Sequence, residues 1–136
     1  TQLFFDNHAF HDWRDRCRLA GIEIPIIAGV MPISTRKSVR RMAGLAAGTV
    51  FPASLQRSLA RADEGDDDSI AEIGIQWATE QCRDLLDREV DGIHFYTLNK
   101  SDATLRIHRS LGVRSARGFR RDVDDVDDVD DVDDVG

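Results

Sequence analysis

Two hydrophobic rhythms alternate along this chain. Thr1-Gln2-Leu3-Phe4-Phe5 is a strand-like run, and Asp6 or Asn7 can cap a helix whose apolar positions Phe10, Trp13, Cys17 and Ala20 recur at helical spacing before Gly21. Ile24 to Val30 is a nearly continuous apolar run of the kind a strand buried on both faces shows, closed by Pro32. Ser34 then stands where a cap is needed for a helix from Arg36 to about Ala46. The stretch from Thr49 to Asp68 is less regular and predicts a short helix after Pro52. Ser69-Ile70-Ala71-Glu72 reads as a capping box opening a long helix through Ile73, Trp77, Gln81 and Leu85. Gly92 to Leu98 predicts a third strand, and Asn99 or Ser101 opens a last helix through Ile107 and Leu111.

Three strand-then-helix units in succession predict an α/β protein with a parallel sheet, either doubly wound or part of a (β/α)8 TIM barrel. No strand is followed by a GxGxxG or GxxxxGK[ST] loop, which weakens the nucleotide-binding versions of the doubly wound fold. A complete barrel needs at least about 200 residues, so three units form a partial barrel with parallel edges left open. Such a body, alone, is expected to be unstable or to recruit a partner.

Charge refines this picture at one end. The formal net charge is −7, but nine of the 25 acids lie between Asp122 and Asp134, which leaves 16 acids against 18 bases in residues 1–121. The body is therefore nearly neutral and is not expected to bind nucleic acid. The Val-Asp-Asp repeat from Val123 to Asp134 cannot bury enough apolar surface to offset chain entropy. The expected organisation is a barrel-like portion over 1–113, a basic linker over 114–121 and a disordered acidic tail over 122–136. Ile24 to Ile33, broken by Pro25, Gly29 and Pro32, is too short for a bilayer span, so no membrane association is expected. Cys17 and Cys82 lack CxxC spacing and are expected to be buried free thiols in a reducing, cytoplasmic setting.

Few positions suggest chemistry. Gln2, on the same side of its strand as Phe4, would be a buried amide, satisfied by backbone or reading the edge of a ligand. The stretch Tyr96-Thr97-Leu98-Asn99-Lys100 falls outside the carboxyl end of the third strand, where parallel α/β folds build their sites. Lys100 could hold a carboxylate or phosphate there. The turn after the second strand, Gly29 to Ser38, is the equivalent place on its neighbour, with Ser38 in the first turn of the following helix. His8 and His11 lack a third ligand, so no metal site is expected and both read as exposed helix residues. His94 reads as a hydrogen-bonded core histidine. Asp66-Asp67-Asp68 complements a helix dipole.

Thr1-Gln2-Leu3-Phe4-Phe5-Asp6 and His94-Phe95-Tyr96-Thr97-Leu98-Asn99, with the IPIIAGVMPIS turn between them, together resemble methylenetetrahydrofolate reductase of the bacterial type, over about residues 1 to 113. The resemblance implies the last three units of a flavin-containing barrel. It further implies hydride transfer from NAD(P)H via FAD to 5,10-methylenetetrahydrofolate, giving 5-methyltetrahydrofolate for methionine synthesis. Carried over by position, Gln2, Ser38 and Lys100 would contact folate or nicotinamide, while Met42, Tyr96 and Leu98 would line the stacking site. Lys100 stands where many members have arginine, which keeps the charge and loses the planar fork. Ala28 stands where proline is usual. The family's catalytic acids and most FAD contacts belong upstream, so no catalytic residue is expected in this chain and the chain alone is expected to be inactive. The expected partners are the amino-terminal barrel half and another copy of the chain. The rival expectation is a non-enzymatic half-barrel acting as an interaction module.

Overall fold

The computed structural model describes residues 1–46 and 48–112. The linker over 114–121 and the acidic tail over 122–136 lie outside the described residues. The elements run α1 (Asn7–Leu19), β1 (Ile27–Val30), α2 (Arg36–Leu45), α3 (Ala53–Ala60), α4 (Asp67–Asp87), β2 (Gly92–Phe95) and α5 (Asp102–Ser110). The chain is a mixed α/β protein. β1 and β2 pair in parallel with Gly29 opposite His94, and Leu3 forms an isolated parallel bridge to Gly29 on the other side of β1. The three extended segments thus lie side by side in chain order.

Alternation along the strands explains the layers. Ala28 and Val30, both fully buried, face Phe10 of α1, Ile75, Ala78, Cys82 and Leu85 of α4, and Ile107 of α5, with Ile93 and Phe95 packed against the same cluster. Burying side chains such as Leu85 and Ile107 contributes about 1.5–3 kcal/mol each. Three helices therefore share one sheet face, whereas a doubly wound sheet distributes helices over both. On the other face Ile27 and His94 are exposed. Tyr96 crosses that face over Gly29 and donates its hydroxyl to the Thr1 carbonyl at 2.9 Å. Gly29 is required here, because a Cβ would stand 2.7 Å from the Gln2 carbonyl oxygen and 2.9 Å from the Tyr96 ring.

A second cluster forms around the carboxyl ends of the strands: Leu3, Phe5, Ile33, Met42, Ala46, Leu55, Leu59 and Ile70. It binds α2 and α3 to the body. α4 reaches it by close backbone approach, since a Cβ on Gly74 would collide with the Ile33 carbonyl.

Several expected boundaries shift for physical reasons. β1 begins at Ile27 instead of Ile24, because Pro25 has no donor and the Ile26 amide is taken by the Asp91 carboxylate at 2.8 Å. The Thr1–Phe5 run makes a single bridge and not a full strand. β2 ends at Phe95, one ladder bond from Tyr96 N–H to the Val30 carbonyl extends it, and Leu98 and Asn99 then turn the chain with φ of 47° and 63°. Thr35 caps α2 in place of Ser34. Asp66 caps α4 in place of Ser69, accepting from the Ser69 amide at 2.9 Å, because a carboxylate three residues ahead is available to that amide. The Ser69 bond holds the Asp66 carboxyl below its ordinary range. Ser101 occupies the cap position of α5, without a side-chain cap bond, while Asn99 lies in the preceding turn. No helix among the described residues is long and apolar enough to cross a membrane.

Candidate functional site

The carboxyl ends of β1 and β2 open into a cleft of about 370 Å³ between α2 and the start of α5. Its apolar wall includes Met31, Pro32, Met42, Tyr96 and Leu98, and its rim carries Lys37, Arg41 and Lys100. Among the described residues no carboxylate lines it. None of the three cations belongs to an ion pair among the described residues. A concave site with an apolar wall and a cationic rim suits a flat organic group bearing anionic substituents.

Local structure fixes both rims. On the α2 side, Thr35 and Ser38 form a reciprocal capping box: the Ser38 amide donates to Thr35 Oγ1 at 3.0 Å, and Ser38 Oγ accepts from the Thr35 amide at 3.1 Å. Ser38 Oγ also donates to the Thr35 carbonyl at 2.6 Å. The α2 axis is thereby set, and Lys37 and Arg41, one turn apart, face the cleft. On the β2 side, the left-handed pair Leu98–Asn99 is closed by a bond from the Lys100 amide to the Thr97 carbonyl at 2.9 Å. Leu98 remains 57% exposed at the rim.

Of the six expected site residues, Ser38, Met42, Tyr96, Leu98 and Lys100 line this one cleft, although they come from two distant stretches of chain. Their availability differs. Lys100 and Leu98 are exposed; Ser38 is engaged in its cap; the Tyr96 hydroxyl is held by Thr1; and Met42 is 1% exposed, part of the second cluster beneath the wall. Gln2 is exposed and not buried, and it lies in a separate depression against α1, with Phe4, Phe10 and Trp13. Phe4 stacks on Phe10 with ring centroids 4.7 Å apart, so alternation carries Gln2 toward the helix side. Lys37 and Arg41 were not expected in the site. Their spacing from Ser38 on one helix was the available signal.

A third cleft, between α1 and α4, also differs from expectation. His8 is exposed as predicted, but His11 is 5% exposed and lies 2.9 Å from an Asp84 carboxylate oxygen through Nε2. Asn7 donates to the same oxygen at 2.7 Å and to the Gln81 carbonyl at 2.9 Å. Burial raises the Asp84 carboxyl, but the bonds from His11 and Asn7 and the nearby His11 and Arg88 charges outweigh it, so the net shift is downward. This cluster fastens α1 to α4. Among the described residues no group of three or more His, Cys, Asp or Glu could hold a metal ion. His94, expected in the core, is exposed and meets Tyr96 edge-on, because it sits on the open sheet face. Cys82 is fully buried and burial pushes its thiol up to about 12, while Cys17 is half-buried.

Parallel strands with helices on one face and a cleft at the carboxyl strand ends define an α/β unit of the strand–helix repeat class. Residues 1–112 match methylenetetrahydrofolate reductase, and the chain belongs to that family. It is 38% identical over 113 residues to methylenetetrahydrofolate reductase (NADH) 1 of Arabidopsis thaliana, covering 83% of this chain and 19% of that protein. It is 36% identical over 121 residues to a probable methylenetetrahydrofolate reductase (NADPH) of Caenorhabditis elegans, covering 88% and 18%. It is 34% identical over 116 residues to 5,10-methylenetetrahydrofolate reductase of Escherichia coli K12, covering 84% and 38%. The chain thus spans about a fifth of the plant and animal relatives and 38% of the bacterial one.

Proposed function

We propose that the chain is the carboxyl-terminal part of a flavin-dependent methylenetetrahydrofolate reductase barrel, comprising the last three of its eight units. The assembled enzyme would transfer a hydride from NAD(P)H via FAD to 5,10-methylenetetrahydrofolate, giving 5-methyltetrahydrofolate. The observation that carries this reading is the coincidence of a family match spanning all three units with a cleft at the carboxyl strand ends. Helices confined to one sheet face, with Ile27 and His94 exposed on the other, suit a sheet that continues into a closed barrel.

The residues of this chain do not by themselves fit FAD. Among the described residues the cleft has no glycine-rich phosphate turn, and its lining holds no carboxylate to exchange a proton with a reacting nitrogen. The chain's own contribution is therefore binding and orientation. Tyr96 and Leu98 offer an apolar wall for a ring system, with Met42 packed beneath it. Lys100 offers a point charge for a carboxylate, and its donors can follow a flexible anionic group where an arginine fork would fix one geometry. The Thr35–Ser38 box orients α2 so that the opposite rim keeps its distance. Gln2 joins this site only if its segment is repositioned when a preceding strand pairs beside it.

Co-expression with the first five units of a relative's barrel tests the reading. Flavin retention and folate reduction are expected in the co-expressed pair and in neither part alone. A pair that assembles but binds neither flavin nor folate would overturn it, and a stable homo-oligomer of the chain without flavin affinity would favour an interaction module.

A further inference from the structure

The cleft contains a feature that the folate reading does not require. Lys37 and Lys100 are the only two lysines in the chain, and both lie on this rim, with Arg41 of α2 one turn beyond Lys37. Three cations face one concavity with no acid in its lining and no ion-pair partner among the described residues. The same chain carries nine aspartates within 13 positions, residues 122–134. Even set against Arg114, Arg117, Arg120 and Arg121, the segment after Gly112 is five charges negative.

We propose that the Asp-rich repeat at residues 122–134 docks into the Lys37–Arg41–Lys100 cleft of its own chain, as an internal polyanion that competes with other anions for it. The connectivity permits this. Ala103 and Thr104, in the first turn of α5, line the cleft, and the repeat follows the other end of that helix. α5 has nine residues, a length of about 13 Å. The nine residues between Gly112 and Asp122 can span about 30 Å when extended, so the repeat can return to the cleft. Tethering supplies an effective concentration on the order of millimolar, which suits a contact built from several individually weak, screened charge pairs. Aspartate pairs recur every three residues, so the charge pattern of the repeat demands no single register.

Carbodiimide cross-linking tests this on the full-length chain, because the only side-chain amines are the two on the rim. Dilute protein should yield amides joining Lys37 or Lys100 to an aspartate of 122–134 within one chain, falling at least about fivefold between 20 mM and 1 M salt. Lysines that remain unlinked to the repeat, or linked only between chains, would overturn the proposal. Inorganic tripolyphosphate gives a second readout: a full-length variant with the nine aspartates replaced by asparagine should bind it at least about tenfold more tightly at low salt. Equal affinities would overturn the proposal. Neither measurement involves flavin or folate, so its failure leaves the reductase reading untouched.

Discussion

At the scale of single residues, packing and hydrogen bonding make sharp demands that sequence spacing does not express. Gly74 lies where α4 meets the Ile33 carbonyl, and a methyl group there cannot be accommodated without moving the helix away from the strand-end turn. Gly74→Ala should lower stability by about 1–3 kcal/mol or more, read from denaturant unfolding; an unchanged midpoint would show that the two elements separate freely. Asp84 has a depressed carboxyl in the folded state, so its contribution is present above the ordinary aspartate range and is lost as pH falls through its folded value. Asp84→Asn should therefore destabilise the protein at neutral pH and shrink the loss seen between wild type at pH 6 and at pH 3. Equal pH slopes in both proteins would contradict this. Cys82, with its thiol pushed up to about 12, should resist alkylation until the chain unfolds, while Cys17 reacts earlier. Peptide mapping after brief iodoacetamide treatment distinguishes the two.

At the scale of elements, the order and kind of helices and strands were legible because apolar periodicity is a strong signal. The places where they start and stop were less so. Ser34 and Thr35 are both competent caps, and only the reciprocal bond from Ser38 selects Thr35. In the same way Ser69 matched a capping box, but Asp66 reached its amide first. The cleft itself was half legible: Ser38 and Lys100 lie at strand ends, where parallel folds place ligands, and the structure brings them to one concavity. Lys37 and Arg41 are not legible as site residues, because a surface helix lysine or arginine is ordinary in sequence and acquires meaning only when the opposite rim is also cationic. Alternation does place Gln2 on the helix side with Phe4, which packs on the core through Phe10, but Gln2 itself lies in an open depression beside α1 and stays exposed, and spacing alone does not express where that cover ends. Thr35→Ala should cost about 1 kcal/mol, and a Thr35/Ser38 double-mutant cycle should show coupling of at least about 0.5 kcal/mol. Additive losses would mean that the two side chains cap independently.

For the whole molecule, the decisive quantity is how much of the sheet is covered. One face buries Ala28 and Val30 completely beneath three helices, while the other leaves Ile27 and His94 in solvent. The outer edges of β2 and of the Leu3 segment have no strand beyond them among the described residues. Association with further barrel units should protect the β2 amides from hydrogen exchange more than the amides of α4, which are already sheltered. Uniform protection across the chain would argue for binding through the helices instead. On the proposed reductase reading, titration of the co-expressed pair with folate should show Lys100→Ala weakened about tenfold and Lys100→Arg unchanged; equal affinity in Lys100→Ala would remove Lys100 from the site.

The turn that ends β2 sets a limit on how this rim can change. Leu98 and Asn99 both wind against the handedness of an ordinary L-residue chain, and asparagine is among the few side chains that tolerate this. The path of the backbone past the rim is therefore settled before any ligand arrives. Exchanging lysine for arginine at the next position alters the chemical head that is offered without altering where it is offered, so variation there can tune selectivity while the scaffold keeps its aim.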